Sequence, residues 1–162
     1  MRVVVFSDVH GKKELADRIL EFNPDADYTI SLGDSELTSD YFLNHDIIFV
    51  KGNYPRDAGF TYETELVVGE LNIFITHGHK HKVHRTLDKL IKLGVSEGYD
   101  IILYGHTHML SKVKYGQVLL INPGSVSSPR NNFPPSYCIL DIHEKKVQVT
   151  FKEVLTNRTI EV

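Results

Sequence analysis

Residues 2–11 read RVVVFSDVHG. Val3, Val4, Val5 and Phe6 form a short apolar run rich in β-branched residues, the pattern of a buried strand. The run breaks at Asp8 and His10, one residue apart, with Gly11 behind them. By itself such an ending is compatible with an ordinary turn. Its weight comes from recurrence: YTISL ends in Gly33-Asp34, IIFV runs through Lys51 into Gly52-Asn53, NIFIT into His77-Gly78-His79, and IILY into Gly105-His106-Thr107-His108.

Helical patterns alternate with these runs. Leu15, Ile19 and Phe22 share a face of a helix expected over 12–22,. SELTSDYFLNH (35–45) reads as a short helix with Ser35 as cap and Glu36 as a first-turn acid,. TELVVGELNIFITHG gives two strands turning at Gly69-Glu70,. A helix is expected from about 82 to 97, with Val83, Leu87, Leu90 and Ile91 on one face. After the IILY strand come hairpins turning at Tyr115-Gly116 and Glu144-Lys145. The order β-α-β-α-β-ββ-α-β followed by hairpins implies an α/β fold with helical crossovers between parallel strands and an antiparallel portion. No composition break divides the 162 residues, so one domain is expected,. The irregular stretch NPGSVSSPRNNFPPS (122–136) has the length of a functional loop,.

Composition limits the function. A net charge of −3 provides no long-range attraction to nucleic acid or anionic lipid,. No run reaches the ~18 apolar residues of a membrane span, and the N-terminal apolar stretch is short for a signal peptide. The cytoplasm is therefore the expected compartment, and no membrane partner is expected. The single cysteine, Cys138, excludes a disulfide framework and reads as a core residue,. P-loop, dinucleotide and nucleophile-elbow motifs are missing,.

In an α/β sheet the carboxyl ends of the parallel strands share an edge, and ligands bind there. Turn chemistry explains Asp, Asn and Gly at such ends but has no use for repeated histidines. Mixed imidazole, carboxylate and amide ligands suit Mn, Fe, Co, Ni or Zn better than Ca or Mg. Seven groups exceed one tetrahedral ion and suit two. Two divalent ions, Asp8, Asp34 and a bridging hydroxide sum to about +1, a centre that attracts a phosphoester and activates water.

DVH, GD, GNYP, THGH and GHTH, in that order over 8–108, together with INPGSVSSPR, resemble the calcineurin-like metallophosphoesterase superfamily. The short length and the NPGS stretch are most similar to its small YfcE-type phosphodiesterases, relatives of the retromer scaffold subunit. The resemblance implies a sandwich of two mixed β-sheets flanked by helices. It implies a phosphodiesterase with two divalent transition-metal ions, Mn2+ first among Ni2+, Fe2+, Co2+ and Zn2+, attacking phosphorus in line. One ion falls to Asp8, His10, Asp34 and His108. The other falls to Asp34 as bridge, Asn53, His77 and His106. His79, Arg56 and Asn122 are then candidate substrate contacts, with Arg130 a further phosphate clamp, while His81 and His84 read as solvated surface.

One position departs from the superfamily pattern. Tyr54 stands where most members carry a leaving-group-protonating His. A Tyr can donate a proton, but a missing general acid costs about 10²–10⁴ in rate. The alternative function is a catalytically weak binding scaffold of the same fold, which need not retain ligands. The full ligand set favours the enzyme. A small phosphoester is the expected substrate, nucleic acid an unfavoured one, and a homo-oligomer is compatible with the sequence.

Overall fold

Val3 and Val5 face one apolar layer and Val4 and Phe6 another, all four fully buried. Alternate side chains of a strand point to opposite faces, so the first strand has packing partners on both sides. The computed structural model describes residues 1–55 and 60–162, and in it this strand, β1 (Arg2–Phe6), lies inside a six-stranded sheet.

The helix α1 (Lys13–Phe22) leads to β2 (Tyr28–Ser31), and α2 (Ser39–Asn44) leads to β3 (Ile47–Phe49). The hairpin of β4 (Glu63–Val68) and β5 (Leu71–Thr76) starts the second sheet, which continues through α3 (Asp88–Glu97) to β6 (Ile101–Leu103). The chain ends in β7 (Leu110–Tyr115), β8 (Val118–Pro123), β9 (Ser136–His143), β10 (Lys146–Glu153) and the two-residue β11 (Thr159–Ile160). The strand orders are β11-β10-β9-β1-β2-β3 and β4-β5-β6-β8-β7. β1, β2 and β3 are parallel, as are β5, β6 and β8, and the hairpin pairings are antiparallel.

The inner faces share one core that includes Val5, Ile30, Ile75, Leu103 and Cys138. Ala16 and Ile19 of α1 and Phe42 of α2 cover the outer face of the first sheet, and Leu90 of α3 covers that of the second. Each fully buried large aliphatic or Phe contributes about 1.5–3 kcal/mol relative to exposure. This is the sandwich of two mixed sheets flanked by helices that the resemblance implied. No described helix is long and apolar enough to cross a membrane.

Three local expectations change. The helix expected from about 82 starts at Asp88. Gly78 (φ +95) and Lys82 (φ +58) are left-handed and bracket one 3-10 turn, His79–His81, and this reversal precludes continuous helix. Val83 and Leu87 still pack with Leu90 and Ile91, so the apolar spacing was genuine although its first half is not helical. Ser35 does not cap α2, which begins after Thr38. Glu36 lies outside that helix at φ +57. Finally, β11 is an extra edge strand paired with β10.

Candidate metal centre

The strand-end residues are held in unusual backbone. Asp8 (φ +56), His10 (+47), Asp34 (+47), His106 (+69) and His108 (+60) all occupy the left-handed region. Asp and His tolerate it better than most residues, yet such conformations cost about 1–3 kcal/mol each and concentrate where function needs them. The first two turns are joined by main-chain hydrogen bonds. Asp8 N–H donates to Gly33 O (3.1 Å), His10 N–H to Asp34 O (3.1 Å) and Gly11 N–H to Ser35 O (2.8 Å).

Two groups of three side chains follow: Asp8, His10 and His108, and Asp8, Asp34 and His77. The Oδ1 of the fully buried Asp8 is common to them. It lies 3.1 Å from His108 Nε2 and 3.9 Å from the Nε2 atoms of His10 and His77. His77 Nε2 is 3.4 Å from Asp34 Oδ2 and 3.2 Å from Asn53 Oδ1. Asp8 is common to both groups, and Asp34, the expected bridge, lies in the second beside His77.

Each ring is fixed from behind. Nδ1–H of His77 donates to Leu32 O (2.8 Å), that of His108 to Ser128 O (2.7 Å) and that of His10 to Glu36 Oε1 (3.0 Å). All three therefore present Nε2 to the centre, the arrangement that orients metal-ligating imidazoles. Asp8 Oδ2 accepts from Ser7 Oγ (2.6 Å) and His106 N–H (3.2 Å), while Oδ1 is buried and accepts no hydrogen bond. A buried carboxylate oxygen without a donor is costly. Three Nε2 lone pairs converging with carboxylate oxygens call for a cation, so the residues fit a divalent ion.

Electrostatics support the same conclusion. Burial alone would raise the Asp34 carboxyl, but the His77 ring and the Tyr54 N–H (2.9 Å) bring it down to about 2. Burial opposes charging of His77, yet Asp34 and Asp8 push it up. Contact with the Asp8 carboxylate raises His108. Burial and the His77 charge lower His106, and the same causes bring His79 down to about 4.

A cleft of about 380 Å3 opens over the centre, lined by His10, Asp34, Asn53, His106 and His108. His106 has its ring 5.1 Å from that of His77. The cleft also contains Thr107, Met109, Arg130 and His84. His84 was read as solvated surface; it is exposed, but the turn that replaces the expected helix puts its ring 5.9 Å from His106. His81 Nε2–H donates to Glu63 Oε1 at 2.7 Å, away from the cleft.

Three expected substrate contacts fare differently. Asn122 is fully buried: Nδ2 donates to Gly105 O and Thr107 Oγ1 (both 3.0 Å), and Oδ1 accepts from Gly124 N–H (2.9 Å). It braces the His106–His108 turn from inside, with both amide hydrogens engaged. His79 packs beside His77, Tyr62 and the cleft-lining His106, ring centroids 5.4, 5.6 and 6.1 Å apart. Arg56 lies outside the described residues. The half-buried Tyr54 contributes its main-chain N–H to Asp34, and its side chain is not among those lining the cleft.

The sequence reading missed the supporting atoms. Ser125 and Ser127 of the long loop donate to Asp8 O (2.9 and 3.1 Å), and Ser128 O holds His108. The length of that loop and the resemblance of its NPGSVSSPR stretch signalled a role, without saying which atoms carry it.

Comparison with known proteins agrees with this geometry. The chain is 33% identical to a probable metallophosphoesterase, YsnB, of Bacillus subtilis over 97% of its length and 94% of that protein. It is 28% identical to the phosphodiesterase YfcE of Escherichia coli K12, covering 87% of this chain and 88% of that one. A crystal structure from Streptococcus pneumoniae, a conserved uncharacterized protein described as a predicted phosphoesterase, superposes with a TM-score of 0.87 at 32% identity, over 94% of this chain and 89% of that one. Residues 1–145 match the calcineurin-like phosphoesterase superfamily domain, so the strand-end Asp and His residues belong to a member of that superfamily.

Proposed function

We propose that the chain is a phosphodiesterase that binds two divalent transition-metal ions, with Mn2+ the first to test, and cleaves a small phosphoester by in-line attack of water. The observation that supports this best is the buried Asp8 Oδ1, which has no hydrogen-bond donor and faces the Nε2 atoms of His10, His77 and His108. Asp8, His10 and His108 would hold one ion. Asp34, Asn53, His77 and His106 would hold the other, with a carboxylate shared between them. Bound divalent ions supply Lewis acidity and neutralise charge on the phosphoryl group.

The chain's own residues do the remainder. The rigid turns fix the ligand positions, which limits reorganisation during reaction. Arg130 lines the cleft and has its main-chain N–H on His108 O (2.9 Å), so its guanidinium starts from an anchored backbone and suits a phosphate oxygen,. His84 is the cleft-lining imidazole outside the proposed ligand set. Its imidazole would hydrogen-bond the departing oxygen.

The test is hydrolysis of bis(p-nitrophenyl) phosphate and of the matching monoester by chelator-stripped protein, before and after Mn2+ is resupplied, with Asp34→Asn as control. Metal-dependent diester turnover that disappears in the variant is the expected result. If stripped and loaded protein are equally inert on both esters, the scaffold reading takes its place.

A further inference from the structure

We infer that Glu36 is a positioning residue for the proposed metal centre, selectively strengthening the ion position made by Asp8, His10 and His108; this inference rests on the metal reading above. Of the three imidazoles aimed at Asp8, His77 and His108 are held by the neutral carbonyls of Leu32 and Ser128. Only His10 is held by a charged group, with Nδ1 3.0 Å from Glu36 Oε1. A carboxylate behind a ligating imidazole fixes its tautomer and ring orientation and makes it a better donor to the ion.

The backbone shows that this contact is built. Glu36 sits at φ +57, a conformation in which Asp, Asn and His are enriched and a longer side chain is unusual. The turn carrying it is tied to the turn carrying His10 through Gly11 N–H to Ser35 O and His10 N–H to Asp34 O. Leu37 N–H closes the turn on Ser35 Oγ at 3.3 Å. These bonds deliver the carboxylate to the back of His10. A simple surface pair would explain the proximity, since both side chains are partly exposed, at 29% and 31%. Such pairs contribute little to stability, so they do not offset a strained backbone. Glycine at position 36 would relieve that strain.

Glycine therefore separates the roles. Wild type, Glu36→Gly and Glu36→Gln would be stripped of metal, titrated calorimetrically with Zn2+ and with Mn2+, and melted in the metal-free state. For Glu36→Gly, one of the two affinities should fall about 10–100-fold while the other stays within about 3-fold. Its metal-free Tm should equal or exceed that of wild type. Glu36→Gln, an acceptor without charge, should fall between the two. Two wild-type affinities in Glu36→Gly, or an equal fall in both, would overturn the inference while leaving the metal centre standing. If wild type itself bound no ion, the metal reading would be overturned and this inference with it.

Discussion

His77 and Asp34 face each other across 3.4 Å, imidazole Nε2 to carboxylate Oδ2, while the other imidazole nitrogen is held by the Leu32 carbonyl. With Nδ1–H committed to Leu32, Nε2 of the neutral ring turns its lone pair toward the Asp34 carboxylate, a repulsion that a proton or a cation relieves,. The same logic applies to His108 between Ser128 O and Asp8 Oδ1. Asp34 and Asp8 push the two rings toward their protonated forms, and a metal ion would compete with a proton for each Nε2.

The consequence is pH-dependent metal binding with a definite sign. His77 and His108 are both raised above 6.5, so a metal must displace their protons. Asp34, at about 2, is already ionised, and His106, pushed down, is already neutral. Affinity should therefore rise as pH increases through the region above 6.5 and then level off, because metal and proton compete for the same nitrogens. Calorimetric Zn2+ titration near pH 6 and near pH 8, in buffers of different ionisation enthalpy, should show up to about two protons released at the lower pH. Binding without proton release near pH 6 would show that these imidazoles are not protonated before the metal arrives.

A second prediction concerns the leaving group. Tyr54 occupies the position expected for a general acid, but its side chain is not among those lining the cleft. Alkyl phosphodiesters should therefore be cleaved slower than aryl ones by about 10²–10⁴-fold. His84→Ala should slow alkyl substrates more than aryl ones, since an aryl oxide departs without help. Equal rates on both ester classes in the wild type would remove the premise.

How far the sequence could be read depended on whether information was local. The run Val3–Phe6 shows its burial directly, and Asp8, His10, His77 and His108 stand out because histidines have no ordinary place in turns. Glu36 follows Ser35 in a stretch resembling a helix start, and its contact with His10 spans 26 residues. Val83 has helical spacing relative to Leu87 and Leu90, yet the left-handed Lys82 turns the backbone another way. That turn is also why His84 reaches the cleft. That Asn122 is buried and bonded across 15 and 17 residues to Thr107 and Gly105 was likewise not legible from NPGS alone.

Asn122 gives a third prediction. Removing its amide would leave Gly124 N–H, Gly105 O and Thr107 Oγ1 without these partners in the interior. Leaving buried polar groups unpaired costs about 1–3 kcal/mol or more. Asn122→Ala should therefore lower the urea midpoint by that order and weaken metal binding through the loosened His106–His108 turn. A rise in KM at unchanged stability would place Asn122 at the substrate instead.

Gly52 provides the sharpest steric test. A Cβ there would overlap the Asp34 carboxylate and crowd the Asp34 main-chain nitrogen. Gly52 is not left-handed, so backbone strain plays no part and the effect should come from contact alone. Gly52→Ala should displace Asp34 from His77 and cost about 1–3 kcal/mol, the usual penalty for overpacking. Gly116 is the useful contrast: its Cβ would meet nothing within 4 Å, but its φ is +58. Gly116→Ala should therefore lose some stability through backbone strain while keeping its metal affinity. Thermal melts and Zn2+ titration on both variants would separate the two effects. Wild-type metal affinity in Gly52→Ala would show that Asp34 can move without loss, and that the close packing of the GD and GN turns is not what builds the centre.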